Sequence, residues 1–320
     1  MHFDVFNGDA DGICALLQLR LAEPLESTLI TGVKRDIGLL RRVNARQGDS
    51  ATVLDISLDK NRQPLLELLE SQVDVFYVDH HQAGEIPDYP RLKAIIDTDA
   101  DVCTSLLIDR YLNHRFSAWA VVAAFGDNLD DSAVRAAQPL NLSADRLQQL
   151  RQLGVYLNYN SYGSHLEDLY FPPDRLFRIL LGYRSPFEFV EDRADVYQAL
   201  VAGYAADMER VKNSPVEYQS DRAALFILPD EAWSRRVSGV WGNDLANSHP
   251  HRAHAILSPN EFGGYLVSVR APLTDKLGAD ELCSRFPGGG GRKAAAGINH
   301  LERGMLSDFL QAFILKFSKA

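Results

Sequence analysis

Cysteine is scarce in this chain. Cys14, Cys103 and Cys283 are three in 320 residues, far apart and odd in number. Such a set builds neither a disulfide framework nor a thiolate zinc knuckle, and it reads as the reduced thiols of a cytoplasmic protein. Positive charge is also in short supply. Lys and Arg number 33 against 43 Asp and Glu, a formal net charge of −10, whereas a surface that grips long nucleic acid gathers a broad positive field. A local site for one or two phosphates is compatible with that balance. No apolar run reaches the length of a bilayer span. The opening MHFDVFNGDADG has no basic segment leading into an apolar one, so neither a membrane anchor nor a signal peptide is expected. Internal repeats and low-complexity segments are missing too.

What is present is alternation. FDVFN, STLITG, ATVLD, VDVFYVD and LKAIID are short runs rich in β-branched and aromatic residues and read as strands. GICALLQLRLAE, IGLLRRVNA, QPLLELLES and TSLLIDRYLN carry helical spacing between or after them. Strand and helix in turn predict a parallel sheet covered on both faces. From about 118 to 213 the pattern is all helical, and Ser214-Pro215 stops the last helix. Fresh strands (AALFILP, AHAILS, GYLVSVRAP) and a closing helix GMLSDFLQAFILKF predict a second, smaller α/β domain. The expected division is a first domain over 1–190, a helical linker over 191–215 and a second domain over 216–320.

Ligands of a parallel sheet bind beyond the carboxyl ends of its strands. Asn7, Asp9, Asp11, Asp55, Asp79, His80, His81, Asp97, Asp99 and Asp101 fall at or just after such ends. Aspartate there often only caps a helix or closes a turn. A crowd of carboxylates, however, repels itself and takes up protons unless a cation relieves it. Oxygen donors with imidazole suit Mg²⁺ or Mn²⁺, and the imidazole tilts the choice to Mn²⁺.

NGDADG, VLD, VDHH and AAFGDN, in that order, together with SVRAP and FPGGGGRKAAAG, resemble the DHH phosphoesterases with their companion DHHA1 domain. The resemblance covers nearly the whole chain. It implies a DHH catalytic domain, a DHHA1 substrate-binding domain, an active site in the cleft between them, and two Mn²⁺ ions, with Mg²⁺ or Co²⁺ as substitutes. Asp9 and Asp11 would split between the ions, Asp55 would bridge them, and Asp127 and His80 would complete the shell. Asp79 would hold the His80 ring from behind, and His81 would face the scissile phosphate. Many members place a histidine four residues before the first Asp of the pair, where this chain has Val5. Others place an acid two residues before it, where this chain has Asn7, a neutral amide and a weaker candidate ligand.

Gly288, Gly289, Gly290 and Gly291 precede Arg292 and Lys293. Consecutive glycines let backbone N–H groups close on an anion, and a helix start after them, packed closely through Ala294–Gly297, would add its positive end. The Gly-Lys-Ser/Thr ending of a Walker loop is missing. The resemblance makes Arg270 the residue that grips a substrate phosphate, with Arg292 where many members have histidine. With no long basic stripe and no module that reads as an OB-fold, very short nucleotides are favoured over long strands. The expected activity is hydrolysis of linear 5′-phosphorylated dinucleotides such as pGpG to nucleoside monophosphates. Family relatives include nanoRNases, which finish RNA decay and cut the linear product of cyclic dinucleotide breakdown. Alternatives are a 5′→3′ single-strand exonuclease, a phosphatase or pyrophosphatase, and a nucleotide sensor with a degenerate metal site. A homodimer is compatible with the sequence. Asp130 and Asp131 read as helix-cap acids, Tyr156, Tyr159 and Tyr162 as packing residues, and His249, His251 and His254 as a solvated loop before a strand.

Overall fold

Strands buried on both faces need no polar alternation, and the first strand, burying every residue from Phe3 to Phe6, is of this kind. The computed structural model describes residues 1–317. The chain divides into two compact units, 1–201 and the residues from Ala202 onward. In the first unit, β1 (His2–Phe6), β2 (Thr28–Ile30), β3 (Ser50–Leu54), β4 (Asp74–Asp79) and β5 (Leu92–Ile96) form one parallel sheet in the order β2-β1-β3-β4-β5. Phe6 pairs with Leu54, Leu54 with Val78, and Asp79 with Ile96, so the carboxyl ends lie level. The chain leaves β1 toward one side for β2 and returns on the other for β3. This reversal is the topological switch where ligands collect in open α/β sheets.

Helices α1 (Ala10–Ala22), α2 (Arg62–Glu70), α3 (Thr104–Tyr111), α4 (Ser117–Gly126), α5 (Asp130–Ala137), α6 (Ala144–Ser161), α7 (Pro173–Leu180) and α8 (Pro186–Asp192) follow, then the long α9 (Ala194–Val211). One face of the sheet packs on α2 around Leu65, Leu68 and Tyr77. The other packs on α1, which is buried from Ala10 to Arg20 because α3, α4 and α6 enclose it.

Segment 37–45, expected as a helix, forms only a 3-10 turn at Leu39–Arg42. The buried Asn61 amide accepts from Leu40 N–H at 3.3 Å and donates to the Ile37 carbonyl at 2.7 Å. These bonds satisfy backbone groups that a longer helix would have paired internally.

In the second unit, β6 (Val216–Gln219), β7 (Ala223–Ile227), α10 (Ala232–Ser248), β8 (Ala253–Pro259), β9 (Tyr265–Arg270), α11 (Ala279–Cys283), β10 (Gly289–Gly291), β11 (Ala295–Leu301) and α12 (Leu306–Phe317) build a sheet in the order β10-β11-β9-β8-β7-β6. Three sequence expectations are corrected here. Gly289–Gly291 is itself an edge strand, and a hairpin rather than a helix follows it, because residues 294–297 turn back and pair with β9 and β10. Helix α10, which sequence reasoning missed, packs on β8 and β9; its apolar Trp233, Val237 and Trp241 are spaced one turn apart, but Gly239 and Gly242 obscure the pattern. His254 is not solvated. It lies within β8 at 1% exposure, and burial holds its pKa down at about 4; His249 and His251 are the exposed members of that trio.

Helices α4 and α6 cross at two glycines. A Cβ on Gly154 would sit 2.1 Å from the Val122 carbonyl oxygen, and one on Gly126 would sit 2.5 Å from Ala10 Cβ. Gly154→Ala gains about 1 kcal/mol of helix propensity, but overpacking against backbone costs roughly 1–3 kcal/mol. The variant is therefore expected to unfold at lower urea concentration than the parent. An unchanged or higher midpoint would show that the helices do not cross this closely.

Candidate metal centre

The β1–α1 connection begins the site. Asp9 is the N-cap of α1: its Oδ1 accepts from the N–H groups of Asp11 and Gly12 at 3.0 Å each. Its Oδ2 is ion-paired with the Lys34 ammonium. Asn7 turns its Oδ1 to the Asp9 N–H (3.2 Å) and its amide nitrogen to the Lys34 carbonyl (3.1 Å). Asp11 reaches over to α3, where Oδ1 accepts from Ser105 N–H at 2.7 Å and Oδ2 from Thr104 N–H at 2.8 Å. All three of these side chains are buried.

Asp55 ends β3 with φ +58, in the left-handed region that Asp tolerates better than most residues. Its Oδ1 accepts from Thr104 Oγ at 3.2 Å. From the end of β4, His80 directs Nδ1 to the Val102 carbonyl at 2.8 Å. A carbonyl only accepts, so Nδ1 carries a proton and Nε2 is the ring nitrogen turned to the carboxylates. That Nε2 lies 3.4 Å from Asp55 Oδ1, 3.9 Å from Asp127 Oδ2 and 4.0 Å from Asp11 Oδ2. Asp127 arrives as the C-cap residue of α4, immediately after the close crossing at Gly126.

One expected partnership is corrected. Asp79 does not hold His80. Its Oδ1 accepts from His81 Nδ1 at 2.7 Å, because the side chain of a strand's last residue and that of the residue two further on fall on the same side. His81 is the more open imidazole, with 37% of its side chain exposed, and its Nδ1 is 4.0 Å from Asp55 Oδ1.

The charges are strongly coupled. Burial, then Asp11, Asp9, Asp127 and Asp79, push the Asp55 carboxyl well above the usual range. Burial also raises Asp11, although His80 works against it. Burial opposes ionisation of Asp9 as well, but the Lys34 ammonium outweighs it and leaves Asp9 lowered. Lys34 is raised well above the usual lysine range: burial would lower it, and Asp9, Tyr162 and Asp127 reverse that.

Donor atoms of Asp55, His80 and His81 all lie within 4.8 Å of one another. Carboxylate oxygens that repel one another, crowded around an imidazole nitrogen, fit a divalent cation. Asp97, Asp99 and Asp101 take no part; they are partly or fully exposed. The first two close turns by accepting from the N–H two residues on, and Asp101 pairs with Arg135. Sequence reasoning missed Lys34, Thr104 and Asn158, whose Oδ1 accepts from Lys34 Nζ at 3.0 Å. No local signal marks them, since each is brought in by packing.

In the second unit, Arg270 donates from Nε to Asn243 Oδ1 at 2.7 Å and lies along α10. Register places His254 and Ala295 beside it on the flanking strands. Arg292 begins the turn into β11, its N–H donating to the Ala295 carbonyl at 2.8 Å. Gly288 (φ +70) and Gly291 (φ +142) use backbone conformations that favour glycine.

Neither a protein-family model nor a curated protein sequence matches the chain. Solved structures do. Exonuclease RecJ bound to manganese aligns over 98% of this chain and 89% of its own, with a TM-score of 0.60 at 15% identity. The DHH domain of a member of a ribosomal-protein family aligns over 98% and 85%, with a TM-score of 0.63 at 13% identity. PggH, a pGpG-specific phosphodiesterase from Vibrio cholerae, aligns over 98% of both chains, with a TM-score of 0.50 at 12% identity. The fold is that of the DHH/DHHA1 phosphoesterases. In this DHH fold the Asp79-His80-His81 stretch ends β4 beside the β1/β3 switch, with its two imidazoles bonded to different partners.

A pH dependence follows from Asp55. A carboxyl raised in the folded state contributes stability below its unfolded pKa, near 3.8, and that contribution is lost as pH rises through the raised folded value. Cation-free protein should therefore lose stability toward neutral and alkaline pH relative to Asp55→Asn. The gap between their melting temperatures should widen as pH rises and should close near pH 4. Saturating Mn²⁺ should raise the melting temperature of the parent more than that of the variant. Parallel melting curves for the two proteins across the pH range would contradict this.

Proposed function

We propose that the chain is a divalent-cation-dependent phosphodiesterase that hydrolyses linear 5′-phosphorylated dinucleotides, pGpG among them, or very short oligonucleotides to nucleoside monophosphates. The observation that carries this reading is the convergence of Asp11, Asp55, His80 and Asp127 at the switch point, with His80 Nε2 3.4–4.0 Å from all three carboxylates. Mn²⁺ suits this oxygen and imidazole set, with Mg²⁺ or Co²⁺ as substitutes. A cation held there supplies positive charge to the phosphoryl oxygens and acidifies water for attack on phosphorus.

The chain's own residues supply the rest. The Val102 carbonyl and Thr104 hydroxyl hold His80 and Asp55 in place before substrate arrives, and such preorganisation avoids a reorganisation cost at the moment of reaction. His81, oriented by Asp79 and partly open to solvent, is placed to take a proton from the attacking water and return one to the leaving 3′-oxygen. In the second unit, Arg270 and the Arg292 turn, with Gly288–Gly291 leading into it, present a cationic edge for a 5′-phosphate.

One observation favours a short substrate: the net charge of −10 supplies no long positive track.

The test is product analysis with metal-stripped protein resupplied with Mn²⁺. Its panel is a set of 5′-phosphorylated dinucleotides, a strand of about 20 nucleotides long enough to need several phosphate contacts, and pyrophosphate. Monophosphates should form from the dinucleotides alone. Asp55→Ala should remain folded by circular dichroism and lose turnover. His81→Ala should lose about 10²–10⁴-fold in kcat, the scale of a positioned acid–base group. Stepwise shortening of the long strand would assign an exonuclease instead, and an active, folded Asp55→Ala would remove the site assignment.

A further inference from the structure

Lys34 is not a surface lysine. Its backbone N–H donates to the Ser161 carbonyl at 2.9 Å, and its carbonyl accepts from the Asn7 amide at 3.1 Å. The loop carrying it is pressed against β1–α1 so closely that a Cβ on Gly8 would lie 1.9 Å from the Gly32 carbonyl oxygen. From this anchored backbone the ammonium enters the carboxylate cluster. It is paired with Asp9 Oδ2, lies 3.6 Å from Asp127 Oδ1 and donates to Asn158 Oδ1 at 3.0 Å. The Tyr162 ring stands 5.6 Å away on another side.

A two-ion centre needs a second set of oxygen donors beside Asp55, and the residues that would supply it are committed elsewhere. Both polar atoms of the Asn7 side chain are bonded to backbone. Asp9 Oδ1 caps α1 with two hydrogen bonds, and Asp9 Oδ2 holds the ammonium. Position 5, earlier on the same strand, is Val5, buried in the opposite core layer. An ion ligated by Asp9 Oδ2 would have to sit about 2.1 Å from that oxygen, within the contact shell that Nζ fills.

We infer that this centre holds a single divalent cation, on Asp55, His80 and Asp127, and that the Lys34 ammonium occupies the place of a second ion between Asp9 and Asp127. This rests on the cation-dependent reading above and changes its chemistry. The built-in monovalent charge offsets Asp9 and Asp127 without a second exchangeable metal. An ammonium cannot, however, acidify a water as a divalent ion does, so Lys34 acts by charge and position alone.

The deciding measurement is the Mn²⁺ count per chain. Metal-stripped protein is dialysed to equilibrium against Mn²⁺ and analysed by plasma mass spectrometry, with electron paramagnetic resonance of the same samples. The parent chain should bind one ion and show the spectrum of isolated Mn²⁺. Asp9→Asn should also keep one, because Asp9 is not a ligand of that ion. Lys34→Gln, its fold checked by circular dichroism, should bind a second ion and show the exchange coupling of a close pair. Two ions in the parent, loss of the ion in Asp9→Asn, or a count that stays at one in Lys34→Gln overturns the inference. Two ions in the parent would leave the cation-dependent phosphodiesterase standing, whereas no ion would remove both. The parent count needs no variant, so a misfolded substitution does not spoil the test.

Discussion

Carboxylates from three separate chain segments are drawn together in the first unit with little water to screen them, and the rest of that unit is arranged around this repulsion. Asp9, Asp11 and Asp55 are buried, and Asp127 is nearly so. Like charges at such range either take up protons or acquire a cation. The molecule uses several local devices to hold the cluster together. Asp9 accepts from the first turn of α1, Asp11 from the first turn of α3, and Asp55 from a threonine hydroxyl. The positive ends of α1 and α3 thus face the acids. None of these contacts supplies a full positive charge, and the Lys34 ammonium, paired with Asp9, does.

The parallel sheet makes the gathering possible. Level strand ends put residues 7, 55 and 79 side by side, and the reversal between β1 and β3 opens the space between them. Helix α4 then delivers Asp127 from the covering layer, and its position depends on the glycine contact with α6. Exchanging Gly154 for a larger residue therefore acts on the site through packing alone. The same crossing brings Asn158 of α6 to the Lys34 ammonium, so one helix contact locates two of its partners, Asp127 and Asn158.

The two adjacent histidines show how backbone geometry separates roles. His80 turns inward and is fixed by a carbonyl, which leaves its distal nitrogen for a ligand. His81 turns outward, is fixed by Asp79, and is the more exposed of the two.

Much of this was legible without coordinates. Apolar runs that stop on Asp or His marked the strand ends, and the alternation with helices set a parallel sheet and hence which edge those residues share. The resemblance carried by the ordered acidic motifs pointed to Asp9, Asp11, Asp55, His80 and Asp127, although Asp9 is paired with Lys34 in the fold. Local pattern failed where distant groups decide. The 3-10 turn at Leu39 is held by Asn61, and the glycine run became a strand because β11 was there to pair with it. Asp79 chose His81 by the direction its side chain takes at the end of β4. By itself the sequence determined the fold class and the acidic edge, because periodicity and strand ends are local properties of the chain. Only the tertiary structure decided that a lysine from the β2 loop stands among the acids, because that contact joins residues far apart in sequence and depends on how closely the layers pack.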